Sequence, residues 1–160
     1  MIRIFLPQVW DFATLSANKD PPPISPSVTI NTVEAVQSAV WVEPGILATI
    51  SGWQSSNVDL WDVGAHLEKN RKSSHSTYDD TNMHSPLRTV NSDVPLTSIS
   101  VANGLMIVGD VGGNLRVLDP SDKPAVAGGC LQKFTDHMGT VTDVYAVSHT
   151  MMWYDTLLVS

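Results

Sequence analysis

Gly45-Ile-Leu-Ala-Thr-Ile-Ser-Gly52 and, just after it, Val58-Asp-Leu-Trp-Asp-Val63 are the two stretches that decide the fold. The first is a short apolar run closed at both ends by glycine, and the second alternates apolar with charged. Both are too short for a packed helix and carry the β-branched and aromatic residues of strands. Ser55-Ser-Asn57 supplies the turn between them. The near-continuous apolar character of the first run predicts burial on both faces, as in a sheet lying between two others.

Working outward, the same kind of run recurs at 39–42, 96–101, 105–108, 115–118, 141–147 and 156–159. No stretch of twelve residues combines helical apolar spacing with freedom from Gly and Pro. The runs also repeat in order. Ile2-Arg-Ile-Phe-Leu-Pro7, Val58-Asp-Leu-Trp-Asp-Val63 and Leu115-Arg-Val-Leu-Asp-Pro120 superpose, with Phe5 to Trp61 at 56 positions and Trp61 to Leu118 at 57. Gly45 through Gly52 aligns with Gly104-Leu-Met-Ile-Val-Gly109, and a further copy starts at Thr142-Asp-Val-Tyr-Ala146. Each unit predicts three or four short antiparallel strands in a meander, stacked on its neighbours because a lone hairpin cannot bury both faces. Two segments, 7–28 with its proline cluster and the Ser- and His-rich 64–86, are expected to be exposed loops.

These units resemble the WD40-repeat family of β-propellers. Trp61-Asp62 matches the family's name-giving dipeptide, Leu118-Asp119 is a degenerate copy, and Phe134-Thr-Asp-His-Met-Gly-Thr-Val141 is similar to the Gly-His segment that leads into a new blade. The resemblance implies an all-β fold, a partial WD40-type β-propeller of two nearly complete blades plus parts of two more. Residues 1–6 would end one blade, 29–63 would form the next with loop 64–86, 87–120 another, and 130–160 would start a further one. It assigns structural roles to Trp61, Asp62, Asp119 and His137, the last hydrogen-bonding inside its blade. Ser55 and Gly112 stand where the family has a structural Asp, so the full Asp-His-Ser-Trp network is not expected. A propeller needs roughly four to eight sheets, so the expectation is a segment of a larger propeller, a truncated product, or a ring completed by another chain or by self-association.

Composition narrows the function classes. Sixteen acidic against nine basic residues give a formal charge of −7, which argues against nucleic acid and anionic membranes as partners. No apolar run is long enough for a membrane helix, and no signal peptide is visible, so a cytoplasmic or nuclear home is expected. The single Cys130 allows neither an internal disulfide nor a thiolate zinc site.

Candidate chemistry is sparse. His66, His75 and His84 recur every nine residues, a spacing without zinc precedent, and read as solvated loop residues. Asp136, His137, Asp143 and Ser148 include the residue types of a triad but lack a nucleophile elbow. Gly109-Asp-Val-Gly-Gly113 lacks the Lys-Ser/Thr of a phosphate loop and reads as a tight turn. Asp79-Asp80 lacks the spacing of a calcium loop. No cofactor, metal or small-molecule substrate is therefore expected. Ser25-Pro26 and Ser85-Pro86 are candidate phosphorylation sites in the two loops. Trp41 and Trp61 are expected in the core, and Trp53 in the loop that the resemblance places on a peptide-binding face. The leading expectation is a non-catalytic scaffold that binds proteins or peptides through Trp53, Gln54, Asp93, Asp110, Asp136 and Met138, the acidic members favouring a basic peptide. A hydrolase on a propeller or β-sandwich is the alternative from another class, and a truncated product unstable alone is the third.

Overall fold

The computed structural model describes residues 8–9, 26–72, 82–121, 129–135, 137–147 and 156–159. The protein is mostly β, with antiparallel pairing throughout apart from one short parallel contact. Strands β1 (Gln8–Val9), β2 (Val28–Ile30) and β6 (Asn82–Met83) form a small first sheet. The second sheet is a four-stranded meander of β3 (Val36–Glu43), β4 (Ile46–Ser51), β5 (Asn57–Asp62) and β7 (Arg88–Asn91). The third repeats it with β8 (Leu96–Ala102), β9 (Leu105–Asp110), β10 (Leu115–Leu118) and β11 (Cys130–Phe134). The hairpin β12 (Val144–Val147) and β13 (Thr156–Val159) makes the fourth.

Three apolar clusters hold this series together, one at each junction. Val28 and Ile30 meet Leu47, Trp61 and Val63 between the first and second sheets. Ala48, Ile50, Val58 and Leu60 meet Leu96, Ile99, Met106, Val108 and Leu118 between the second and third. Ile107 and Leu115 meet Val141 and Val144 between the third and fourth. Strand β4 thus sends Leu47 one way and Ala48 and Ile50 the other, which is why its run is apolar on both faces. Trp61 is buried, and its indole Nε1 donates to the buried Thr49 Oγ1 at 2.9 Å, so the one polar atom of this large side chain is satisfied.

Several expectations need correction. The fourth strand of each large sheet, β7 and β11, falls in sequence that carries no alternating signal; β11 leaves Leu131, Gln132 and Lys133 exposed. The segments read as exposed loops also hold structure. β1 and the first residue of β2 lie within 7–28, while β6 and all but the first residue of helix α1 (Val63–Lys72) lie within 64–86. Asp62 Oδ1 accepts from the Ala65 amide at 2.8 Å and so caps α1, whose last turn carries Lys69, Arg71 and Lys72 against the helix dipole. Trp41 is not core: it is 47% exposed, on the outward positions of β3's alternation. The sequence expectation for residues 1–6 lies outside the described residues. Among the described residues no helix is long and apolar enough to cross a membrane.

Candidate functional site

A meander sends alternate connections to opposite ends of its sheet. The β2–β3 connection, the β4–β5 and β9–β10 turns, and the β7–β8 and β11–β12 connections therefore share one end of the series. Four of the large exposed apolar residues lie in them: Val33, Trp53, Val111 and Met138. Trp53 is 83% exposed and Met138 wholly so. The charged residues described in these connections are Glu34, Asp93 and Asp143, with no Lys or Arg among them. The basic cluster of α1 follows β5 and belongs to the other end.

In the third sheet this end is closed by an ion-paired network. Asp110 is fully buried at the end of β9. Its Oδ1 accepts from the amides of Gly112 at 2.8 Å and Asn114 at 2.9 Å, which folds the β9–β10 turn onto it. Asn114 Nδ2 donates to both carboxylate oxygens at 2.9 Å, and Arg116 Nε donates to Oδ2 at 3.2 Å. The buried Arg116 also pairs through Nη1 with Asp93 at 2.5 Å, from the β7–β8 connection. The Asp93 carboxyl is held below its ordinary pKa, first by a hydrogen bond from its own backbone amide and further by the charges of Arg116 and Lys133, with desolvation working the other way.

The second sheet has a cleft at the same end. Its volume is about 560 Å³, and its walls come from the β2–β3 connection, the end of β4, the β4–β5 turn and β5. Glu34, Trp53, Gln54, Asn57 and Asp59 line it, as does Ser51, whose Oγ is buried and makes no hydrogen bond. Asp59 Oδ1 accepts from Thr89 Oγ1 at 2.7 Å. The connection carrying Glu34 is fixed by Thr32 Oγ1 donating to the Glu34 carbonyl at 2.7 Å and by the Gly52 amide donating to Ala35 O at 2.9 Å. Gly52 has φ +92°, and the Glu34 carboxylate rests where its Cβ would be, so the close approach of acid and turn requires glycine.

No protein-family model and no curated protein matches this chain. The site is therefore read from its own geometry.

Trp53 and Gln54 line the cleft, and Met138 stands exposed at the same end. Asp110 was expected as a surface contact, yet it is buried and committed to Arg116 and its own turn. Asp93 is exposed but bound to Arg116. Asp136 lies outside the described residues, as do Ser25, His75, Asp79, Asp80 and Ser148. Ser85 is exposed between β6 and β7. His137 was expected to bond inside its blade, but its ring is exposed; its backbone carbonyl, with that of Gly139, packs over Gly113, where any Cβ would collide. Asp119 Oδ1 accepts from the Ser121 amide at 2.8 Å, a local turn. Of the histidines read as solvated loop residues, His84 is exposed just after β6, whereas His66 is not in a loop. His66 is half-buried on α1 with Nε2 sequestered and unbonded, and His84 bonds Asn31 Nδ2 at 3.1 Å. Among the described residues no group of three potential ligands could hold a metal. Sequence reasoning missed Glu34, Asp59 and Arg116. For Asp59 and Arg116 the repeat carried the signal: the offset of 57 that joins Trp61 to Leu118 joins Asp59 to Arg116.

Proposed function

We propose that the four sheets are consecutive blades in an arc of a WD40-type propeller, and that the chain is a non-catalytic scaffold that docks a basic protein segment on its loop end. The observation that carries the reading is the exposed Trp53 beside a polar cleft at an end whose connections hold acidic residues and no basic ones. An exposed Trp next to a cavity is the usual form of an interface anchor. A surface of one sign selects partners of the other and speeds their encounter. Sheets stacked through continuous apolar junctions supply a rigid platform that needs no reactive side chain.

The test is a fluorescence-polarisation screen of the whole chain against peptide sets matched in length and differing in charge. Basic peptides with an apolar residue should bind, acidic ones should not, and Trp53→Ala should weaken binding by about tenfold or more. Binding indifferent to peptide charge and to Trp53→Ala would refute the proposal.

A further inference from the structure

The two large sheets present the same positions at their loop ends, but only one of them is filled. In the third sheet Asp93, Asp110 and Asn114 surround a guanidinium supplied by the chain itself, that of Arg116. The equivalent positions in the second sheet are Val33, Ser51 and Asn57, and they line the 560 Å³ cleft together with Glu34, the residue after Val33. Where the third sheet has Arg116, the second has Asp59. The connection carries its acid one residue later, at Glu34, the internal cation is replaced by a second acid, and the space remains open.

Resting on the docking reading above, we infer that this cleft is a receptor for the guanidinium of an arginine side chain from the partner. Glu34 and Asp59 supply two carboxylates; one oxygen of Asp59 is engaged by Thr89 and the other remains to accept a charged hydrogen bond. Ser51 stands at the same wall, its Oγ buried and unbonded. Trp53 offers an aromatic face beside them, over which a guanidinium stacks better than an ammonium. The planar fork of arginine carries several donors in fixed geometry and pairs with carboxylates bidentately, so arginine is preferred over lysine. Trp61, which forms part of the wall, has its own donor committed to Thr49 and does not compete.

The experiment titrates the chain with acetyl-arginine amide and, separately, with its lysine and citrulline counterparts, following backbone and indole N–H shifts by NMR. Saturable shifts at Glu34, Asn57 and the Trp53 indole are expected with the arginine compound, weaker ones with lysine and none with citrulline. Asp59→Asn should weaken arginine binding about tenfold. Asp59→Arg should abolish it by placing a guanidinium in the cleft as Arg116 does in the third sheet. The exposed Asp143→Asn, at the same end but away from the cleft, should change little. Equal shifts with citrulline, full binding by Asp59→Arg, or equal losses in Asp59→Asn and Asp143→Asn would each overturn the inference. Basic peptides that depend on Trp53 but not on Asp59 would leave the docking surface standing and remove the arginine receptor. An arginine compound that binds while every basic peptide fails would do the reverse.

Discussion

Replacing Asp110 by alanine tests the closed end of the third sheet. The carboxylate has no exposed surface and takes hydrogen bonds from two backbone amides, from Asn114 Nδ2 at both its oxygens, and from Arg116. After truncation the exposed Gly112 amide finds water, but the Arg116 guanidinium remains buried, with Nη2 already unbonded and Nε newly so. Removing one partner of a buried ion pair costs roughly 3–5 kcal/mol. Because Asp93 still holds Nη1 from the solvent side, the low end of that range applies, about 3 kcal/mol. Urea unfolding followed by circular dichroism measures it as a fall in midpoint at constant slope. Arg116→Met supplies the control. If the cost comes from a stranded charge, the double variant should be less destabilised than the two single variants added together. A loss below about 1 kcal/mol for Asp110→Ala, or strict additivity with Arg116→Met, would refute the reasoning.

Three further outcomes follow from single contacts. Thr49→Val keeps the shape of the side chain but leaves the buried Trp61 indole N–H without its acceptor, and should cost about 1–3 kcal/mol in the same unfolding assay; an unchanged midpoint would show that the bond carries no weight. Gly104→Ala meets only the left-handed backbone, φ +75° with open space around it, and should cost about 1–2 kcal/mol. Gly113→Ala, at φ +82°, should cost distinctly more, because its Cβ would run into the His137 and Gly139 carbonyls, and equal losses would discredit that packing. Finally, the lowered Asp93 pKa means its stabilising contribution is complete above the unfolded-chain value of about 3.9 and is lost as pH falls through the lower folded value. The stability gap between the natural chain and Asp93→Asn should therefore be present at neutral pH and close in acid, whereas a gap independent of pH would contradict the pairing with Arg116.

What could be read from the sequence was whatever two-sided burial imposes on residue type. β4 and β9 lie between sheets, so their apolar runs are uninterrupted, and their positions were legible. The outer strand β11 carries Leu131, Gln132 and Lys133 on solvent-facing positions and so follows no rule that a pattern search detects. Helix α1 was hidden for a related reason. It buries only Val63 and includes Gly64, so its evidence is a cap at Asp62 and a basic last turn rather than an apolar stripe. Trp53 was legible as a loop aromatic because it follows Gly52 at the end of a buried run. Asp110 misled because its motif, Asp-Val-Gly-Gly, is the same whether the carboxylate faces solvent or turns inward to its own amides and a buried arginine.

The cleft and the Arg116 network are two solutions to one packing problem. Near α1, the junction between the first and second sheets is sealed by Val28, Ile30, Leu47, Trp61 and Val63. Toward the loop end the same faces of β4 and β5 turn polar, through Ser51, Asn57 and Asp59, where apolar contact has ended. A buried interface cannot leave such groups unpaired without cost. The third sheet meets that condition internally, with an arginine on β10 answering acids on two connections. The second sheet leaves the gap open to water and keeps its acid at the rim. Stability favours the first arrangement, since it needs no ligand. An open cleft lined by acids instead gains stability when a cation arrives from outside. The difference between Asp59 and Arg116 is thus the difference between a structural joint and a receptor.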